Sequence, residues 1–136
     1  MLVTSPIPEI KMLNTVSVDD INIIIYSSNN DLVVYKIDIY NPRNFSIIWI
    51  GNDFFKNTDK KQVSTVLYKE LDNVVKLYIA TGIKPIIEIR VDDNRPSYID
   101  RSNGKFISVD YLINNRIVPQ DRVYIKDVIS GRLPAS

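Results

Sequence analysis

The sequence predicts an α+β fold, with a mainly antiparallel sheet of about six to eight strands packed against one long helix at about residues 59–81. Three observations predict it. Apolar residues recur at steps of three and four between positions 63 and 78. Short runs of alternating apolar and polar residues lie on both sides of that stretch. The runs come in blocks broken once by the helix, instead of alternating with helices as parallel units do.

Residues 1–8 read as an extended arm, because Pro6 and Pro8 fix φ and hold the residue before each extended. Over residues 9–18, Ile10, Met12, Val16 and Val18 mark a half-buried strand, and Asp19-Asp20 turns the chain. A second strand at 21–26 places Ile21, Ile23 and Ile25 on one face. The cluster Ser27-Ser28-Asn29-Asn30-Asp31 is a turn, since Asn and Asp tolerate left-handed backbone and bond their own main chain. Residues 32–40 return with Val33, Tyr35, Ile37 and Ile39 on one face and Lys36 and Asp38 on the other, completing a long hairpin. After the Asn41-Pro42-Arg43-Asn44 turn, residues 45–50 are apolar on both faces, the pattern of a strand covered on both sides. Residues 51–58 then lead to the helix and are expected to expose Phe54 and Phe55.

The helix reading has an N-cap at Asp59 and a capping box closed by Gln62. Val63, Val66, Leu67, Leu71, Val74, Val75 and Tyr78 share one stripe; Lys69, Asp72, Asn73 and Lys76 fall largely opposite. Gly82 can adopt the left-handed conformation that ends a helix, and Pro85 forbids continuation. At about 1.5 Å per residue the element would run roughly 33 Å.

Beyond it, residues 86–91 alternate, with Ile87, Ile89 and Val91 inward and Glu88 and Arg90 outward. Asn103-Gly104 predicts a tight hairpin joining strands at 97–101 and 105–109, because both residues accept positive φ. Residues 110–115 fit either a short helix or a strand plus turn, the helix being favoured, while 122–129 read as a last strand and 131–136 as a second extended arm. With no linker or repeat, the 136 residues read as a single domain with arms at 1–8 and 131–136.

Composition narrows the chemistry. Seventeen basic and sixteen acidic residues nearly cancel, which argues against a nucleic-acid-binding footprint. With no cysteine, the chain has no disulfide, thiolate zinc site or cysteine nucleophile. With no histidine, it lacks the commonest general base and the commonest transition-metal ligand. No cofactor is expected. Neither a signal peptide nor an apolar run of about 18 residues is present, so a cytoplasmic or virion location without membrane insertion is expected. Heavy use of Ile, Asn, Lys and Tyr suggests a low-GC genome, such as that of a phage.

The best catalytic constellation is Glu88 with Asp92 and Asp93, where carboxylates at a strand end could hold Mg²⁺ beside Arg90 or Lys105. It is similar to the acidic-plus-Lys arrangement of metal-dependent nucleases, but Arg90 stands where that strand carries Lys. No convincing acidic partner precedes it, so the carboxylates read more simply as a strand running into a solvated turn. The isolated glycines provide no phosphate cradle. Tyrosines are numerous, yet Tyr26, Tyr35, Tyr40, Tyr98 and Tyr124 lie in expected strands, where packing accounts for them.

The terminal segments suggest assembly. Met1, Leu2, Val3 and Pro6 at one end, with Leu133 and Pro134 at the other, make poor solvated tails and suit arms ordered on a neighbouring subunit. Together with Phe54 and Phe55 they form the expected interface. The expected role is therefore a non-enzymatic structural subunit that binds copies of itself or other proteins. A phage head–tail connector, ring or tail-completion protein matches the size, neutral charge and element order. The alternatives are a small partner-binding or inhibitory protein and a Mg-dependent nuclease-like enzyme.

Overall fold

The computed structural model describes residues 7–18, 20–69, 74–91, 95–99, 104–119 and 124–126. Two antiparallel sheets stack face to face. The first contains β1 (Ile10–Val18), β2 (Ile21–Ser28), β3 (Asp31–Asp38) and β4 (Phe45–Gly51) in chain order. The second is built from β5 (Ser64–Lys69), β6 (Val75–Ala80), β7 (Ile86–Arg90), β8 (Arg95–Ile99) and β9 (Tyr124–Lys126). Its spatial order is β8-β7-β6-β5-β9. A short helix, α1 (Val109–Asn114), belongs to a third layer on the far side of the second sheet.

The long helix expected at 59–81 is not formed. That stretch contributes β5 and β6, paired antiparallel from Ser64↔Ala80 to Lys69↔Val75. The α+β assignment is corrected accordingly: the described residues form a sheet sandwich with one six-residue helix. The physical reason is burial of the second sheet on both faces. Leu67, Leu77, Ile79, Ile87 and Ile89 pack into the core shared with Val16, Ile23, Ile25, Leu32, Val34 and Ile48 of the first sheet. Val66, Tyr68, Tyr78, Ala80 and Ile86 point the other way and pack with Ile107, Leu112 and Val118. A strand covered on both sides needs apolar residues at consecutive positions, so the alternation that identifies strands is lost. Two such strands in succession reproduced the three-and-four spacing of a helix. The β-branched residues Val63, Thr65, Val66, Val74, Val75 and Ile79 favour the extended form, and Asp72-Asn73 supplies turn-prone residues between the strands.

Two smaller expectations also change. The strand at 45–50, read as covered on both sides, is instead the edge strand β4, with Phe45, Ile47 and Ile50 exposed. The strand expected at 105–109 does not form; residues 105–108 run directly into α1. Gly104 does hold positive φ, at +78°, but for a different reason: a Cβ there would overlap the backbone of Lys84. Asn103 lies outside the described residues. The β2–β3 hairpin, the inward face of β7 and the short helix near 110–115 agree with expectation.

Candidate functional site

Alternation along a strand sends successive side chains to opposite faces, so the register of the first sheet sorts its residues into an inner and an outer set. Three cross-strand rows make up most of the outer set. They are Met12–Tyr26–Val33–Ile50, Thr15–Ile24–Tyr35–Ile47 and Ser17–Asn22–Ile37–Phe45. None of these side chains carries a formal charge, and the polar ones, Thr15, Ser17 and Asn22, gather at one corner. Met12, Phe45, Ile47 and Ile50 are 58%, 57%, 48% and 43% exposed. Val33 sits among them at 4% exposure and belongs to neither core cluster. Tyr35 and Phe45 stack at 5.7 Å between ring centroids.

Strand β3 shows how unusual the face is. After Asp31 at its start, its outer positions Val33, Tyr35 and Ile37 carry no charge, whereas the inner set includes Lys36 and Asp38. Leu32 and Val34 hold this orientation by entering the core, and the turn at Asn29, with φ of +53°, fixes the register. Lys36 and Asp38 meet Ile21, Asn44 and Ser46 around a shallow pocket of about 160 Å³ at the open end of the sandwich. The Asp38 carboxylate accepts the Tyr40 amide at 2.9 Å, a turn contact.

Both edges of this sheet are irregular. A bulge between Met12 and Asn14 turns Ile10 and Met12 outward, although Val16 further along β1 points to the core. A second bulge, opposite Val34 and Tyr35, places both Ile48 and Trp49 against the core.

The sequence-derived interface residues fare differently. Phe54 and Phe55, expected to be exposed, are 2% and 0% exposed and plug the end of the sandwich. The Phe55 amide donates to Asn30 O at 2.9 Å, the Asp53 amide to Asp31 Oδ1 at 2.8 Å, and Trp49 meets Phe54 edge-on at 5.9 Å. Lys84 Nζ lies 4.4 Å from the Phe54 ring centre. Their apolar character serves folding. Met1, Leu2, Val3, Pro6, Leu133 and Pro134 lie outside the described residues.

Of the candidate carboxylates, Glu88 faces the α1 side of the second sheet, where the Tyr78 hydroxyl donates to it at 2.8 Å. Asp92 and Asp93 lie outside the described residues, and no acidic cluster suited to a metal occurs among the described ones. Among the described residues, no helix is long and apolar enough to cross a membrane. The chain matches no protein-family model, no curated protein and no solved structure.

The sequence displayed the two faces of β3 but not which one meets the second sheet. The signal that could have found the site was the companion strand: Phe45, Ile47 and Ile50 continue the same face on β4 and are exposed.

Proposed function

We propose that the chain is a non-enzymatic assembly subunit that binds protein through the outer face of its first sheet. The observation that carries this is the three adjacent rows without a charged side chain, with large apolar side chains of Met12, Phe45, Ile47 and Ile50 left in water. Exposed apolar area costs about 25 cal/mol per Å², and contiguous apolar patches mark contact surfaces. Size and neutral charge still suit a virion subunit, such as a connector, ring or tail-completion protein, acting in the cytoplasm or the particle. The element order no longer contributes to that reading.

A photo-cross-linking amino acid at Ile47, introduced in the cells or particles that make the protein, tests the reading. Adducts of defined mass are expected at Ile47 and not at exposed Lys60, which lies off the face. No adduct at Ile47, or an equal yield at both positions, would refute the interface.

A further inference from the structure

Resting on that interface, we propose that its occupant is a second copy of this chain, with the two first sheets stacked face to face across a two-fold axis.

Charge is the first argument. A two-fold contact sets a patch against itself, so any charge near the axis meets its own kind. The three outer rows contain none; of the charged residues of β3, Lys36 and Asp38 belong to the inner set, and Asp31 lies one row beyond, at the rim of the outer face, where its carboxylate accepts the Asp53 amide. The surface is therefore compatible with itself without complementary placement of opposite charges.

Shape is the second. Val33, in the first of the three rows, is buried among exposed apolar neighbours, so the apolar surface extends over several strands and a broad partner fits better than a protruding one. An extended peptide would add to an edge instead, but β1 and β4 each carry a bulge, which disrupts edge pairing. A second sheet face answers both constraints, as the inner face of this sheet already does when it packs on its neighbour.

Area sets the strength. Four strands at about 4.8 Å spacing and seven residues at about 3.3 Å give a flat footprint of about 440 Å². Side-chain relief raises the accessible area above that, toward the roughly 800 Å² per partner of a standard interface. A reversible dimer is expected, not an obligate one.

Sedimentation velocity on the full chain, over a roughly hundredfold concentration range centred in the micromolar, should show conversion from monomer to dimer. Ile47→Lys should remain monomeric throughout, with an unchanged thermal melt. Thr15→Lys, at an exposed position in the same row, is a second variant that removes no apolar packing and should weaken dimerisation at least tenfold. Because the chain has no cysteine, Ile47→Cys offers one spin-label site, and the dimer should give one narrow interspin distance. Wild-type protein that stays monomeric, or a dimer indifferent to both lysine substitutions, overturns the proposal. If a monomeric protein still gives Ile47 cross-links to a different protein, the second copy is refuted and the interface stands. If those cross-links are also absent, both fail.

Discussion

Ser64 joins the second sheet to the segment leading into α1. Its hydroxyl donates to Ile107 O at 3.0 Å and accepts from Ile107 N at 3.2 Å, in a site where both residues are buried. Ser64→Ala leaves an amide and a carbonyl unpaired away from water, and should cost about 1–3 kcal/mol. Chemical denaturation should show the loss, while sedimentation should show the self-association of the folded protein unchanged. No change in stability would mean that water replaces the hydroxyl. Asn14 plays a comparable part between the sheets, donating through Nδ2 to Thr65 Oγ1 at 2.7 Å. Neither link was legible in the sequence, because each joins residues more than forty positions apart. Gly82 and Gly104 were legible as positions of positive φ, yet their settings were misread. Conformational freedom is a local property of glycine, but what approaches it is decided by the fold.

At the scale of elements, the hairpin of β5 and β6 carries the largest correction. A helix would keep Leu67 and Leu77 on one rod, about 15 Å apart at 1.5 Å per residue. In the sandwich they are direct cross-strand partners. NMR should therefore detect backbone contacts across the β5–β6 register, between residues 67 and 77 or their immediate neighbours, and none of the sequential contacts of a helix through 64–69. Helical contacts there would overturn the topology. A strand with polar positions on one face, such as β7 with Glu88 and Arg90, was legible because alternation survives when one side is lined by polar groups. The middle of the second sheet was not, because α1 and the first sheet cover both sides and remove the polar positions that reveal the period. Apolar β4 invites the same description but lies at an edge, and Phe45, Ile47 and Ile50 on its outer face are exposed. Composition alone does not distinguish a strand buried by its own chain from one awaiting a partner.

On the scale of the whole molecule, the layers run first sheet, second sheet, α1, and among the described residues it is the first sheet that presents a broad apolar face to solvent. Lack of cysteine and histidine and the near balance of charge pointed to a protein of shape, not reaction chemistry, and that expectation is carried into the proposed function. Its location moved from the Phe54–Phe55 segment, now part of the core, to the rows around Tyr35 and Ile47. The sequence could not show this because outer and inner faces of β3 both contain apolar residues, and only tertiary pairing selects between them. The most direct measurement is the solvent accessibility of isoleucine methyl groups, read by NMR with a soluble paramagnetic agent at low and high protein concentration. The assembly account predicts that Ile24, Ile37, Ile47 and Ile50 become shielded as concentration rises, while exposed Ile7 and Ile83 remain accessible. Accessibility of Ile24, Ile37, Ile47 and Ile50 that does not change with concentration would contradict it.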